Sequence, residues 1–375
     1  MAGSTARGRP ARTCARARRA RWHLAAEMLS DGRTIASRRR FPAELALLVR
    51  CEDAIESLIE RLCFGAPDPT LGQLVWEHVS SGGKRLRARL ALRAVEALGG
   101  TVADGIAWGA CCELLHNASL IHDDVEDGDR YRRGRLALWA RHGTAQAINA
   151  GDLAIALSYL AIGAVPVSDG LRWRLTESVS RAARRVVDGQ AAELRLLAAA
   201  PLTWEAYATC VEGKTTALFA LPIEGAALIA GRSADDAARL ASGFRPLGLL
   251  FQIQDDLVDL YGDNGRDRPG SDLAQLGKAT ALVVEHLRLH PEDRAWLLAI
   301  LTAPRADTAP ETIDAAIARF AEQGALAAVW QRIDDLLGGL DRTGVLTGEP
   351  GLGALVDGFV VEALRPVAHT RPRIG

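Results

Sequence analysis

The chain has 375 residues, with 45 lysines and arginines against 46 aspartates and glutamates, and a formal net charge of −1. A hydrophobic fraction of 49% is ordinary for a globular protein and argues against a fibrous or fully disordered chain. The balanced charge lacks the basic footprint of a general nucleic-acid binder, so no nucleic-acid partner is expected. The longest uncharged run, 153–168, has 16 residues and includes Pro166, so no transmembrane segment is expected.

The first 40 residues differ in composition from the rest of the chain. They carry eleven arginines against Glu27 and Asp31, a net charge of +9, so residues 41–375 carry −10. We expect a disordered basic arm at 1–40, followed by one domain at 41–375. An arginine-rich, acid-poor start is compatible with an organelle transit peptide. We favour the alternative that translation starts later, at Met28.

Helical periodicity dominates the chain after residue 41. Between 44 and 64, apolar residues such as Ile55, Leu58 and Leu62 recur at spacings of three and four. Similar patterns predict helices at 84–98, 105–127, 144–163, 171–199, 203–230, 233–261, 275–289, 311–325 and 327–339. Alternating β-branched residues are nearly absent, and glycines and prolines fall between the patterns. The sequence therefore predicts one large all-α domain.

The cysteines do not form a metal-binding pattern. The six cysteines include no C-x-x-C pair, and no histidine cluster accompanies them, so a zinc site is not expected. Adjacent Cys111 and Cys112 lie in an apolar stretch and are interpreted as small core residues in a reducing compartment. A cytoplasmic protein is the corresponding prediction.

Two acidic clusters share the form D-D-x-x-D at the end of a strongly apolar helical pattern. One spans Asp123, Asp124 and Asp127, and the other begins at Asp255 and ends at Asp259. The i,i+4 spacing places the outer carboxylates of each cluster on one helix face, where they repel unless a cation lies between them. Mg²⁺ typically binds through one or two carboxylates plus substrate phosphates. A matching pair of clusters therefore predicts a magnesium–diphosphate site rather than two solvated helix faces.

Lysine is rare in this chain, because only Lys84, Lys214 and Lys278 stand among the 45 basic residues. Chance survival in an arginine-rich composition is one explanation. The neighbouring residues favour another, since each lysine lies beside glycine or threonine, where the backbone can approach an anion closely. We therefore expect each lysine in a separate phosphate-binding segment.

Eight short segments, taken in order, resemble the trans-isoprenyl diphosphate synthase (polyprenyl synthetase) family in its geranylgeranyl-diphosphate-synthase-like form. They are G-G-K-R-L-R at 82–87, H-D-D-V-E-D at 122–127, R-R-G at 132–134, G-D at 151–152, G-Q at 189–190, K-T at 214–215, F-Q-I-Q-D-D-L-V-D at 251–259 and G-K at 277–278. Each segment alone is unspecific, whereas their ordered combination over residues 45–340 is highly specific. The resemblance implies the isoprenoid synthase fold, a single bundle of antiparallel helices around a central apolar cavity. It also implies a homodimer.

The resemblance further implies a role for individual residues, with Mg²⁺ as cofactor and isopentenyl diphosphate and an allylic prenyl diphosphate as substrates. Catalytic roles are implied for Asp123, Asp124, Asp127, Lys214, Asp255 and Asp256, and metal binding for Asp123, Asp124, Asp127, Asp255 and Asp259. The implied contacts of the allylic diphosphate are Arg132, Lys214, Thr215, Gln252 and Lys278. Those of isopentenyl diphosphate are Lys84, Arg87, His116 and Arg133. His122 is expected to support the acidic motif from behind.

Product length in such a family is set by bulk on the helix that leads to the first acidic motif. Ala118 and Ser119, just before that motif, are small, which disfavours a C15 product. Leu115 lies one turn deeper, and Tyr159 or Phe219 on a facing helix offers a floor to the cavity. We predict a product of C20 or longer.

Three departures from the family pattern are visible. Arg266-Asp267-Arg268 stands where a loop lysine is common, Glu193 replaces an aspartate, and Leu136 replaces a proline. None removes a metal ligand.

Two other functions remain open at this point. A class I terpene cyclase also ionises a diphosphate, but it would normally lack the second D-D-x-x-D motif and the 82–87 segment. A non-catalytic regulatory subunit of a prenyl synthase should have lost an acidic motif, and this chain keeps both.

Overall fold

The computed structural model describes residues 42–198, 201–262, 273, 278–303, 308–342, 346 and 348–372. For 42–49 and 341–342 it describes the helical backbone alone. The basic arm expected at 1–40, the segment 266–268 and Gly277 lie outside the described residues. The described chain is almost entirely helical, which confirms the predicted all-α class.

The helices of the first half are α1 (Pro42–Cys63), α2 (Thr70–Ser80), α3 (Leu86–Ala97), α4 (Ile106–Glu126), α5 (Leu138–His142), α6 (Thr144–Gly163) and α7 (Asp169–Leu196). A 3₁₀ turn at Val102–Gly105 precedes α4. A two-stranded antiparallel hairpin, β1 (Tyr131–Arg132) and β2 (Arg135–Leu136), follows it.

The helices of the second half are α8 (Trp204–Val211), α9 (Ala217–Ile229), α10 (Ala234–Ser242), α11 (Arg245–Tyr261), α12 (Ala281–Leu289), α13 (Arg294–Thr302), α14 (Pro310–Glu322), α15 (Ala325–Arg342) and α16 (Pro350–Leu364). A π-helical turn, Glu212–Thr216, joins α8 to α9. Short 3₁₀ turns occupy Pro291–Asp293 and Arg365–Thr370.

The structure differs from the sequence prediction at several element boundaries. The segment predicted as one helix at 233–261 is two helices, because Pro246 has no N–H and starts a new helix at its first turn. The predicted helix at 203–230 contains the π turn. Helices α2, α5, α13 and α16 are absent from the prediction.

α4 is the central element of the bundle. It packs extensively along α6 and also contacts α3 and α9. Most of its residues between Ala107 and Ile121 are buried, including the fully buried Trp108. Because α4 is held on several sides, the acidic motif at its C-terminal end has a fixed position.

Among the described residues, α6 alone is long and apolar enough to cross a membrane by length and composition. It contacts α2, α4 and α7, and a little under half of its apolar window is buried. One such helix is weak evidence of a membrane span, because core helices often have the same length and composition.

Candidate active site

The first acidic motif lies at the C-terminal end of α4. Asp127 caps the helix and donates its N–H to the carbonyl of Asp123 at 2.8 Å. Asp124 is buried, and its Oδ1 accepts a hydrogen bond from Arg132 Nε at 2.5 Å. Burial raises the pKa of Asp124 to about 6 against the opposing effect of Arg132. Asp123 and Asp127 thus share one face, while Asp124 turns towards the hairpin.

Two of the three lysines contact the shared face of Asp123 and Asp127. Lys214 Nζ lies 3.6 Å from Asp123 Oδ1 and 2.6 Å from an oxygen of Glu193. Lys278 Nζ lies 3.1 Å from Asp127 Oδ2. Burial lowers the pKa of Lys214, but the nearby carboxylates of Asp123 and Glu193 have the larger combined effect and raise it to about 12. Both ammonium groups therefore lie at carboxylates of the first acidic motif.

The second acidic motif lies at the C-terminal end of α11, and its members have different surroundings. Asp255 is exposed, whereas Asp256 and Asp259 are buried. Asp256 accepts hydrogen bonds from the Tyr207 hydroxyl (2.8 Å), the Ala281 N–H (2.7 Å) and Gln252 Nε2 (3.0 Å). The Asp256 carboxylate thus joins α8, α11 and the start of α12.

Two short segments link the two acidic motifs. In the π turn, Lys214 contacts Asp123 on α4, while the next residue, Thr215, donates to Gln252 Oε1 on α11 at 2.9 Å. Just before α12, Lys278 contacts Asp127, and three residues later the Ala281 N–H donates to Asp256. The two motifs therefore lie at the same end of the bundle, with a lysine from each linking segment at the first motif.

Close glycine contacts fix the π turn in place. A Cβ on Gly189 of α7 would lie 2.3 Å from Lys214 N, and one on Gly248 of α11 would lie 2.5 Å from Thr216 Cα. Gly213 faces Gly189 from the other side. The turn therefore packs so closely between α7 and α11 that a side chain at either glycine would push it away. π turns inside helices occur frequently at functional sites.

The R-R-G segment forms the turn of the hairpin. Arg133 and Gly134 have φ of +53° and +73°, the pattern of a type I′ turn. The two arginines of this turn have different partners. Arg132 donates a hydrogen bond to Asp124, and Arg133 Nη1 donates one to Ser81 Oγ at 3.3 Å. A Cβ on Gly83 would lie 2.9 Å from the Arg133 guanidinium carbon, so Gly83 makes room for this side chain.

Arg87, His116 and Arg133, three of the four residues implied for isopentenyl diphosphate, form a second basic region. Lys84 is exposed, whereas Arg87 is buried, and its guanidinium lies 4.7 Å from the centre of the Phe219 ring and 5.6 Å from that of Phe251. Burial lowers the pKa of Arg87 to about 10 and that of His116 well below its usual value. The charges of Arg87 and Arg133 also act on His116, so these side chains are electrostatic neighbours.

The residues predicted to set product length lie along α4. Ala118 and Leu115 are buried, and Ser119 is half-buried with its hydroxyl bonded to the His116 carbonyl at 2.8 Å. Tyr159 on α6 bonds instead to Ser180 of α7, at 3.0 Å between the hydroxyl oxygens.

The structure shows contacts for residues that the sequence analysis names without a partner, and it adds two residues that the sequence analysis omits. His122 Nε2 lies against Gly151, where a Cβ would approach it to 2.1 Å, which explains the glycine of the G-D segment. Gln190 Nε2 donates to Glu126 Oε2 at 2.5 Å, which explains the glutamine of the G-Q segment. Tyr207 and Trp108 carried no sequence signal, because a single aromatic residue in an apolar helix is typical of a core.

The donor set fits a hard divalent cation. All side chains at the two motifs that could bind a metal offer oxygen, and Asp124 Oδ2 is buried without a hydrogen-bond partner in the described part of the chain. No group of three histidine, cysteine, aspartate or glutamate side chains within the described ranges is arranged to hold a metal unaided. Magnesium does not need one, because it usually binds one or two carboxylates together with substrate phosphates.

An all-α bundle with two acidic motifs at one end, bridged by lysines, is the arrangement of an isoprenoid synthase. The family model of polyprenyl synthetases matches residues 68–320. The chain belongs to the polyprenyl synthetase family, and its enzyme class is that of a trans-prenyltransferase.

Individual relatives agree with this family. The short chain isoprenyl diphosphate synthase of Methanothermobacter thermautotrophicus is 36% identical over 60% of this chain and 70% of its own length. The geranylgeranyl diphosphate synthase of Mycobacterium tuberculosis is 40% identical over 62% of this chain and 66% of its own. The geranylgeranyl pyrophosphate synthetase structure from Pyrococcus horikoshii has a TM-score of 0.72 and 26% identity over 85% of this chain and 99% of its own.

Proposed function

We propose that the protein condenses isopentenyl diphosphate with an allylic prenyl diphosphate, head to tail and in the trans configuration, to give a polyprenyl diphosphate of C20 or longer. One observation carries the proposal: two short segments connect the acidic motifs. The π turn contacts Asp123 through Lys214 and is linked to Asp256 through Thr215 and Gln252. The segment Lys278–Ala281 contacts Asp127 and Asp256 directly. A diphosphate leaving group, which carries several negative charges, would meet ammonium groups from two segments when bound between the motifs.

The allylic diphosphate binds at the first of two basic regions. Lys214, Lys278 and Arg132 supply fixed positive charge, and the Thr215 hydroxyl and the Gln252 amide are the proposed neutral contacts. The proposed ligands of Mg²⁺ are Asp123, Asp124, Asp127, Asp255 and Asp259. Bound magnesium would neutralise the charge that develops on the leaving diphosphate. Asp256 holds Gln252 and Tyr207 in place from the interior.

Isopentenyl diphosphate binds at the second basic region, formed by Lys84, Arg87, His116 and Arg133. The allylic C–O bond breaks with its electron pair on the diphosphate oxygen, leaving an allylic cation. The isopentenyl double bond attacks that cation, a C–C bond forms, and a proton leaves the adjacent carbon for the released diphosphate. Preorganised cations at the leaving group lower the barrier, because charge develops there in the transition state.

A stripe on α4 supports the proposed product length. Ser119, Leu115, Cys112 and Trp108 recur at spacings of four, three and four, which places them on one helix face. The first three are small or aliphatic, and the fourth is a fully buried tryptophan. Trp108 lies fifteen residues before Asp123, which is about 22 Å along the helix. An extended C20 chain, with a main chain of about sixteen carbons, covers roughly 20 Å.

The proposed assembly is a homodimer in the cytoplasm. Large apolar side chains on α6 and α7 are more than half exposed, namely Leu160, Trp173, Val187 and Leu194. An exposed apolar face of this kind favours association. The described cysteines are all buried and free, which is typical of a reducing compartment.

The experiment is elongation of radiolabelled isopentenyl diphosphate with Mg²⁺ and allylic primers of C5, C10, C15 and C20, followed by chromatography of the dephosphorylated products. The proposal expects a ladder that ends at C20 or beyond. No incorporation with any primer would refute it. Cyclic hydrocarbons from an allylic diphosphate alone would instead identify a terpene cyclase.

A further inference from the structure

His78 is a buried imidazole with no role in the site described so far. It lies on α2, it is 6% exposed, and its Nε2 has no hydrogen-bond partner within the described residues. Arg87 Nε and His116 Nδ1 share this property. Unsatisfied buried polar groups are rare, because each costs free energy. Two of these three nitrogens belong to residues proposed to bind isopentenyl diphosphate.

Direct contacts connect the end of α2 to the same basic region. The His78 carbonyl accepts the N–H and the hydroxyl of Ser81, at 3.3 and 2.7 Å. The Ser81 hydroxyl oxygen in turn accepts a hydrogen bond from Arg133 Nη1 at 3.3 Å. Arg85 closes the segment, since its Nη2 donates to the Val79 carbonyl at 2.7 Å. His78 therefore lies at the base of the loop that presents Lys84 and receives Arg133.

The electrostatic surroundings of His78 are strongly positive. Burial, followed by the charges of Arg133, Arg132 and Arg85, lowers the pKa of His78 to about 3. His78 also acts on His116, whose pKa is lowered in the same direction. A neutral imidazole adds no repulsive charge to this region and keeps one N–H to donate. A partner for that N–H has to be an acceptor, and an anion is favoured by the surrounding arginines.

We propose that His78 is a further binding residue for isopentenyl diphosphate, donating a neutral hydrogen bond to the diphosphate that Arg87 and Arg133 hold by charge beside His116. The identity of the anion rests on the proposed function. A diphosphate has acceptor oxygens in several directions, so it can accept hydrogen bonds from more than one side chain of this region.

The experiment compares His78→Phe, which keeps a planar ring without a donor, with His78→Gln, whose amide restores an N–H near the position of Nε2. Titration calorimetry measures the Kd of isopentenyl diphosphate and of inorganic diphosphate, and initial rates give KM for each substrate. We expect H78F to weaken isopentenyl diphosphate binding about tenfold, with KM for the allylic substrate within twofold of the wild type. H78Q should recover most of the affinity.

His286→Phe is the control for loss of a buried imidazole, because His286 bonds to Asp293 in the C-terminal half of the bundle. It should lower the melting temperature without changing the Kd of either diphosphate. If H78F does not fold, His78→Leu takes its place in the same titrations. Wild-type affinity in H78F, or an equal rise in both KM values, would overturn the role of His78. If the wild type elongates no primer but binds inorganic diphosphate through His78, the proposed function fails while the anion site stands.

Discussion

Glu193 Oε2 lies 2.6 Å from Lys214 Nζ, whereas Asp123 Oδ1 lies 3.6 Å from the same ammonium. Glu193 is the residue that replaces the aspartate of the family pattern. Its longer side chain reaches from α7 to the π turn, where the contact of Gly189 with Lys214 N sets the spacing. Glu193 thus holds the Lys214 ammonium at the edge of the first acidic motif.

Glu193→Gln should lower kcat/KM for the allylic substrate about tenfold, because the carboxylate that holds the Lys214 ammonium is replaced by a neutral amide, a weaker acceptor. KM for isopentenyl diphosphate should stay within twofold. Glu193→Asp should retain more activity than Glu193→Gln. Glu177→Gln on the exposed side of the same helix is the control and should match the wild type in steady-state assays. Equal kinetics for Glu193→Gln and the wild type would remove Glu193 from this role.

Asp123→Ala and Asp255→Ala should each reduce turnover by about two to three orders of magnitude, since electrostatic terms of this kind contribute several kcal/mol. Chelation of divalent cations by EDTA should abolish elongation, and added Mg²⁺ should restore it. Asp235→Ala, an exposed residue in the first turn of α10, is the matched control. Near-normal turnover in either motif variant, or full activity in EDTA, would contradict the metal assignment.

Gly189→Ala should displace the π turn, because the new Cβ would approach the backbone nitrogen of Lys214 to 2.3 Å. Backbone on both sides cannot move aside as a side-chain tip can, so we expect lower turnover and a lower melting temperature. Gly170→Ala in the same helix meets no atom within 4 Å and should leave turnover unchanged. In an exposed helix that change should add about 0.5–1 kcal/mol of stability. Unchanged kinetics in Gly189→Ala would show that the turn tolerates the shift.

Acid should destabilise the protein through its buried neutral imidazoles. In the folded state the pKa of His78 is about 3, against an ordinary value of 6.5. The unfolded chain therefore binds more protons, and stability that is present above pH 6.5 is lost as the pH falls towards 3. Between pH 6.5 and 5 this one residue should cost roughly 2 kcal/mol. Denaturant unfolding measures the free energy of unfolding over that pH range. It should fall less steeply with decreasing pH in His78→Phe than in the wild type. An identical pH dependence in both proteins would contradict the assignment.

The sequence predicts the helical class and the chemistry of the site better than it predicts element boundaries. Acidic clusters and the glycine-flanked lysines carry local spacing signals, so Asp123, Lys214 and Lys278 could be grouped before their contacts were known. The π turn could not be predicted, because it depends on close contacts with Gly189 and Gly248, which lie on two helices far from each other in the sequence.

The sequence also gives no signal for single side chains whose partners come from other parts of the fold. His78 appears in the sequence as an ordinary position on an amphipathic helix, and its significance lies in arginines that come from the loop after α2 and the hairpin. Helix α2 itself has apolar residues at helical spacing and could have been predicted from its pattern.

Trp108 should limit product length if the α4 stripe lines the chain-binding cavity. Its Nε1 donates to the Pro222 carbonyl at 3.0 Å, and its ring fills the space beside Gly225, where a Cβ would lie 2.1 Å away. Trp108→Ala removes this floor, so the product ladder should extend beyond that of the wild type. Ser119→Phe places bulk about one helical turn from Asp123 and should end the ladder at C15.

Loss of the tryptophan is also expected to cost about 3–5 kcal/mol of folding stability, so assays belong well below the melting temperature of the variant. Trp330→Ala removes another buried, hydrogen-bonded tryptophan from α15 and separates the two effects. It should destabilise the fold while leaving product length unchanged. Product length is measured by chromatography of the dephosphorylated products. Identical product ladders for Trp108→Ala and the wild type would show that the cavity does not end at Trp108.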